Sequence, residues 1–387
     1  MKKSLSRRVF CKNCLAGALG IVATPLLEPV SESRAEVNIR RKKADYWSAL
    51  DGKRTKCLLC PNGCVTSPGE NGRCRSRGNR DGIYYSLSYG RPCVIALDSI
   101  EKSPLYHFQI QGQAFSIATP GCNLACKYCH NWEYSQKGPL DVEKVFDLEP
   151  EEVVRRAQKH GVTTMNYFYT EPTIYYEYMM DIARLARRAG MKNVCVTAGY
   201  INEEPLRNLI PFIDAFVVGL KGFTEDYYNE YMNGPLEPVK RTLKILSENR
   251  KASLMKGSDG TAPWFEIVYL VVPGLNDKES EIDAMASWLH ENIGQDVPLH
   301  FTRFSPAYQL KNLPPTPVGT LDQARKIAMK AGLEYVYEGN LPGSEGAHTY
   351  CPVCHKKVIE RLGFTVIKND LHKGRCQCGH TLPGNWG

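Results

Sequence analysis

From residue 115 onward the apolar positions fall into two alternating patterns. Short, nearly continuous apolar runs recur at 115–118, 164–169, 193–197, 215–220, 266–271 and 299–304. Segments of helical period lie between them, among them 149–160, 173–189, 278–292 and 321–331, the first with acids in its opening turn. Runs that are apolar at every position predict strands covered on both faces, and strands alternating with helices predict a parallel sheet. The expected fold is therefore α/β. Residues 113–340 hold all six strands and fall somewhat short of the ~250 residues of a closed eightfold barrel, so a partial (β/α)6 TIM-like barrel is expected. Such a fold gathers the C-terminal ends of its strands on one rim, where its chemistry belongs.

Composition adds little until it is located. Hydrophobic residues make up 43% of the 387 and charged residues 23%, which excludes a disordered, collagen-like or multispan membrane chain. The net charge of +8 is concentrated in residues 1–43, where ten Lys and Arg face three acids for a net +7, leaving +1 for everything else. A near-neutral body argues against a nucleic-acid partner. The leader itself, Ser6-Arg7-Arg8-Val9-Phe10-Cys11-Lys12, resembles a twin-arginine export signal. An apolar stretch at 14–27, too short to span a membrane, and the small residues Ser33 and Ala35 follow it. A signal over 1–35 implies the twin-arginine translocase as a partner and a periplasmic or membrane-anchored protein; a cytoplasmic location is the alternative.

The fifteen cysteines sort by position. Cys11 and Cys14 lie in the leader. Cys57, Cys60, Cys64 and Cys74 form one set, within an N-terminal module at 50–112. Cys122, Cys126 and Cys129 form a second. Cys351, Cys354, Cys376 and Cys378 form a third, within a module at 346–387. Cys195 reads as a small core residue and Cys93 is unassigned. Tight pairs of this kind are poor disulfide partners and good metal ligands, so all eleven residues of the three sets are candidate ligands. The second set is C-x3-C-x2-C with no fourth cysteine nearby. Three thiolates on a 4Fe-4S cluster leave one iron open, as catalytic metal sites do. A zinc knuckle completed by His130 is the competing reading.

The run Cys122-Asn-Leu-Ala-Cys126-Lys-Tyr128-Cys129 resembles the signature of radical S-adenosylmethionine (SAM) enzymes, with Tyr128 as the aromatic before the last cysteine. The resemblance implies that the open iron binds the amino and carboxylate groups of SAM. It also implies reductive cleavage of SAM to methionine and a 5′-deoxyadenosyl radical that abstracts hydrogen from an unknown substrate, small molecule or protein, with a low-potential electron donor as partner. Glu171, after the second strand, matches the carboxylate that takes the SAM amino group. Thr197 at the end of the third strand, Lys221 after the fourth and Arg303 at the end of the sixth are further candidates for binding SAM. Tyr200, His300, Tyr308 and, for a substrate carboxylate in place of that of SAM, Arg303 are candidates on the substrate side; a satisfied core histidine is the alternative for His300.

Longer stretches resemble the radical SAM component of the AmmeMemoRadiSam system, a relative of the pyruvate formate-lyase activating enzymes. They are Cys57-Leu-Leu-Cys-Pro-Asn-Gly-Cys64, Glu171-Pro-Thr-Ile-Tyr-Tyr176, Val272-Pro-Gly-Leu-Asn-Asp277, Pro298-Leu-His-Phe-Thr-Arg-Phe-Ser-Pro306, and Tyr337-Glu-Gly-Asn340 leading to Tyr350-Cys-Pro-Val-Cys354. The likeness spans about residues 50–387. Two positions depart from it. Ala198 stands where the family has Asn, and Gly219 where it has an Asp that helps hold a monovalent cation near the SAM carboxylate. Lys221 remains to neutralise that carboxylate. A glycyl-radical activase working on a partner protein, and an iron–sulfur carrier or assembly factor that no longer cleaves SAM, are the alternative functions.

The flanking sets each hold four thiolates and so close their coordination spheres. Zinc or an auxiliary iron–sulfur cluster would suit Cys57, Cys60, Cys64 and Cys74. The C-terminal set resembles a zinc ribbon, with a β-like stretch at 357–367 between its claws. Its second claw is one residue shorter than usual, so His355, His372 or His380 is a candidate substitute ligand for zinc.

Overall fold

The computed structural model describes residues 42–255 and 262–386. The leader reading over 1–35 lies outside them. The centre is an eight-stranded sheet in sequential order: β1 (Val94–Ser99), β2 (Gln113–Ala118), β3 (Thr164–Tyr167), β4 (Lys192–Thr197), β5 (Ala215–Gly219), β6 (Trp264–Val271), β7 (Leu299–Arg303) and β8 (Val336–Gly339). All neighbours from β2 to β8 are parallel, and β1 pairs antiparallel with β2. The six expected strands are present and one more flanks them on each side. Both additions are edge strands. β8 is four residues long with Glu338 and Gly339 in it, and β1 carries Asp98, so neither reads as an apolar run.

Helices α1 (Pro150–Lys159), α2 (Tyr176–Arg188), α3 (Glu203–Leu209), α4 (Glu237–Met255), α5 (Glu279–Asn292) and α6 (Val318–Lys330) each connect one parallel strand to the next. The start of α1 shows why the sequence turns helical there. Pro150 occupies the first turn, where its missing N–H costs nothing, Glu151 and Glu152 face the positive end of the helix dipole, and Arg156 and Lys159 face the negative end. The helix buries Val153, Val154 and Ala157. Together with Phe115, Ile117, Met165, Tyr167, Phe216, Val218, Phe265, Ile267 and Cys195 they belong to one continuous core. Full burial contributes about 1.5–3 kcal/mol for each large apolar side chain. No helix among the described residues is long and apolar enough to cross a membrane.

The pole at the N-terminal ends of the strands is closed by a polar cluster. Glu266, fully buried, accepts from the backbone N–H of Tyr106 and His107, from Trp264 Nε1 at 3.0 Å and from His300 Nε2 at 2.6 Å. His107 bonds Tyr337 Oη and the carbonyl of Pro383 through its two ring nitrogens, at 2.6 and 2.7 Å. Burial pushes His107 down to about 4, so it is neutral at neutral pH. This cluster corrects the substrate-side reading of His300. It is the second residue of β7, 1% exposed, and faces the pole opposite the rim.

Two small antiparallel sheets form the N-terminal module: Lys42–Lys43, Ile83–Ser86 and Arg77–Arg80, and Trp47–Ala49, Thr55–Cys57 and Val65–Thr66. An ion pair fastens them to α2. Arg77 Nη1 lies 2.8 Å from both carboxylate oxygens of Glu177, with the two side chains 1% and 2% exposed, and Nη2 donates to the carbonyl of Asp45. The C-terminal module is a third sheet of Thr349–Tyr350, Lys357–Leu362 and Thr365–Asn369. The β-like stretch expected at 357–367 is thus a hairpin, turning at Gly363 with φ of 58°.

Removing one partner of a buried pair strands the other charge. Glu177→Ala is expected to cost about 3–5 kcal/mol in urea unfolding. Glu203→Ala, which breaks the half-exposed pair with Arg207, is expected to cost at most about 1 kcal/mol.

Candidate functional site

β2 runs directly into the loop of Cys122, Cys126 and Cys129. Gly121 opens it at φ of 106°, where a side chain is strained, and a Cβ there would stand 2.5 Å from the carbonyl oxygen of Cys74. The loop is tied on three sides. Gly121 N–H donates to Tyr134 O, Ala125 and Lys127 donate to Met232 O and Tyr231 O, and Lys127 O accepts from Gln309 N–H, all at 2.9–3.0 Å. Cys129 N–H closes a turn onto Cys126 O at 3.1 Å. His130 is turned away, its Nε2 on the carbonyl of Ser305 at 2.9 Å, so the zinc-knuckle reading loses its fourth ligand.

The three sulfurs do not all lie within 4.8 Å of one another, which is too open for a single ion. A cluster interposes irons and sulfides between its thiolates and so needs them further apart than a single ion does. Burial pushes the Cys122 thiol far up, and the carboxylate of Glu171 adds to it. Burial takes Cys126 up to about 12 against the opposing charge of Lys221. Burial also raises Cys129, opposed mainly by a 3.2 Å contact to Ser135 Oγ. Thiols in this state ionise only against a bound cation, and metal loading releases their protons.

Glu171 caps the turn after β3 and is 2% exposed. Its Oε1 accepts from Thr173 N–H at 3.1 Å, Thr173 Oγ1 at 2.7 Å and Thr197 Oγ1 at 2.6 Å. Its Oε2 accepts only Ala198 N–H, at 2.8 Å, which leaves a lone pair for one further donor. Thr197 therefore positions Glu171, and also accepts from Gly199 N–H at 3.0 Å. The side chain lost at Ala198 does not disturb this arrangement, because the contact is made by the backbone.

The other departure is filled. A Cβ on Gly219 would lie 2.6 Å from Nζ and 2.9 Å from Cε of Lys221. The lysine thus folds back over the glycine at the exit of β5, and its charge reaches Cys126 and Cys129. Its backbone is pinned from two sides: N–H donates to Tyr228 Oη at 3.0 Å, and O accepts from Asn276 Nδ2 at 2.9 Å. Arg303 is half-buried at the exit of β7, with Nε donating to Thr316 O at 2.8 Å. Tyr128 is buried, its hydroxyl on Met232 Sδ at 3.6 Å. Tyr200 accepts Asn123 Nδ2 at its carbonyl, at 2.7 Å, and Tyr308 stacks on Trp132 with ring centres 5.2 Å apart.

The C-terminal set is of a different kind. All four sulfurs lie within 4.8 Å of one another, with Cys351–Cys378 at 3.6 Å and Cys354–Cys376 at 3.7 Å. The short second claw closes without a histidine. Backbone N–H donation at His380 draws Cys378 down to about 7, the direction a metal-binding thiolate needs. The set could hold a metal ion.

Sequence reasoning passed over Ser135, Asn131 and Asn276. Asn131 Nδ2 bonds Tyr169 O at 2.6 Å and joins the cysteine loop to β3. Asn276 is fully buried, holds the Lys221 carbonyl and accepts Val272 N–H through Oδ1 at 2.7 Å. Its place in Val272–Asp277, a stretch quoted for its resemblance, was the available signal.

The profile of the radical SAM superfamily matches residues 116–286, which carry β2 to β6 and the loops between. An uncharacterised protein of Methanocaldococcus jannaschii is 39% identical over 344 residues, covering 88% of this chain and 98% of that one. The pyruvate formate-lyase-activating enzyme of Staphylococcus epidermidis is 25% identical over 255 residues, covering 60% of this chain and 92% of that protein. A putative glycyl-radical enzyme activating enzyme of Haemophilus influenzae is 29% identical over 126 residues, 31% of this chain and 45% of its own length. With its three-thiol loop at the strand exits, the chain belongs to the radical SAM superfamily and has relatives among the activating enzymes.

Proposed function

We propose that the protein is a radical SAM enzyme of the AmmeMemoRadiSam type, built on an open barrel and acting by hydrogen abstraction on an unknown substrate. The observation that carries this reading is the meeting at one rim of three widely spaced thiols and a buried carboxylate with one unfilled lone pair. Cys122, Cys126 and Cys129 would hold the 4Fe-4S cluster and leave one iron free. When bound, the cluster supplies the electron that cleaves SAM into methionine and a 5′-deoxyadenosyl radical. Glu171 Oε2 accepts the SAM ammonium. Thr173 and Thr197 hold that oxygen's partner still, so the carboxylate need not reorganise on binding. Lys221 faces the SAM carboxylate with a covalently tethered charge where the family uses an Asp and a bound cation. Arg303 is a second anion contact at the rim. The C-terminal quartet holds zinc, whose tetrahedral Zn–S bonds of about 2.3 Å set sulfurs roughly 3.8 Å apart. The leader motif supports twin-arginine export.

The activating-enzyme relatives favour a second reading, in which the substrate is a glycine of a partner protein. A glycyl-radical signal on a partner mixed with the reduced enzyme and SAM would select it.

Two outcomes test the proposal. The reconstituted protein, reduced anaerobically with SAM, is expected to release 5′-deoxyadenosine, and Cys126→Ala to release none. A full cluster with no product above background sinks the enzyme reading and leaves the iron–sulfur carrier. Lys221→Met and Glu171→Gln are each expected to weaken SAM binding to the loaded enzyme by about 10- to 100-fold, the weight of one charge-assisted contact, with iron content unchanged. Equilibrium binding of SAM to the oxidised protein measures this apart from turnover.

A further inference from the structure

We infer that Cys57, Cys60, Cys64 and Cys74 hold a second iron–sulfur cluster, not a zinc ion. The inference rests on the reading of Cys122, Cys126 and Cys129 as cluster ligands, because the molecule supplies its own scale of sulfur spacing. The C-terminal quartet is drawn together to 3.6–3.7 Å, the edge of a tetrahedron around one ion. The sulfurs of the central trio do not all come within 4.8 Å of one another. The N-terminal set behaves like the trio: among the described residues, only the C-terminal quartet brings three or more ligand atoms within 4.8 Å of one another.

The four N-terminal thiols nevertheless converge. Cys57, Cys60 and Cys74 lie in one buried core, and Cys64 packs against it. Their backbone is built for this. Cys57 N–H donates to Cys64 O at 2.9 Å, and a turn from Cys60 to Gly63, with φ of 52° at the glycine, reverses the chain between them. Arg75 N–H donates to Gly72 O at 2.8 Å in the turn that presents Cys74. Cys57, Cys60 and Cys74 are under 10% exposed, Arg73 N–H points at Cys64 Sγ from 3.4 Å, and the charge of Arg77 reaches Cys74. N–H donors and a nearby cation offset the negative charge that four thiolates give a cluster.

Its location suits a redox group. The N-terminal loop lies directly on the central one: Asn62 Nδ2 donates to Asn123 O at 2.7 Å, and Ser76 Oγ donates to Pro120 O. The Tyr200 carbonyl accepts from Asn123 Nδ2 at 2.7 Å, and the next residue but one, Asn202, donates its N–H to Leu59 O at 3.1 Å, so one strand exit holds both loops. Four thiolates leave no iron open, so this cluster binds no SAM; it is an electron-holding group beside the catalytic loop.

Metal content of the reconstituted full-length protein and of the Cys122→Ala/Cys126→Ala/Cys129→Ala variant tests this, with Mössbauer spectra to identify the iron. About eight irons in the parent and about four, still cubane, in the triple variant are expected. About four irons with two zincs in the parent, and none in the variant, would overturn the inference and leave the central site standing. About four irons in both would remove the central reading while keeping this one. Should the triple variant not fold, Cys60→Ser/Cys74→Ser serves in its place: a fall from about eight irons to about four supports the second cluster, and unchanged iron rules it out.

Discussion

Burying a carboxylate without hydrogen-bond donors is costly, and Glu171, at 2% exposure, collects four of them from two neighbouring strand exits. The requirement fixes the loop after β3 against the end of β4. It sets Thr197 and the Ala198 N–H in one geometry, and it places a negative charge beside Cys122. The central loop must then pass over this rim, which it does through Asn131 on Tyr169 and the Met232 and Tyr231 carbonyls on the loop backbone. Hydrogen bonds internal to the protein therefore hold the rim in shape, and the remaining lone pair is presented without rearrangement.

The same economy runs through the departures at 198 and 219. Loss of a side chain at Ala198 is harmless where the working contact is a backbone N–H. Loss at Gly219 opens a space that a flexible lysine enters, and that ammonium is opposed to the pKa rise of two cysteines. The two glycine-lined positions at the rim thus differ in kind. Gly121 is required because the Cys74 carbonyl and Ser76 press on it at a positive φ, while Gly219 meets only the movable end of Lys221.

The parallel core was legible because its strands are short, nearly continuous apolar runs, and the cysteine loop because three cysteines at that spacing have few other uses. The edge strands β1 and β8 were not, since edges tolerate Asp98, Glu338 and Gly339. His300 misled because it was taken for a strand-end residue, whereas it is the second residue of β7 and lies toward the opposite pole; Arg303, the last residue of the strand, reaches the rim. Nothing local announced that Lys221 would fold over Gly219, or that Ser135 would face Cys129, since both depend on where loops land after the sheet has formed. Cysteine spacing along the chain likewise did not tell that only the C-terminal set, among the described residues, would bring all its sulfurs within 4.8 Å of one another.

The polar cluster at the far pole has a consequence in time. His107 receives its Nδ1 partner from Pro383, 276 residues downstream, and the Asn385 backbone bonds both His107 and Gln109. Loop closure over such a span costs little more entropy than over half of it, so stability is hardly affected. Synthesis, however, is vectorial, and the ribosome delivers β2 through β7 long before residue 383. The pole around Glu266 can be completed only after that interval, when every cysteine of the N-terminal and central sets has already emerged. The contacts that join residues 107–109 to 383–385 are thus the last at this pole to be completed.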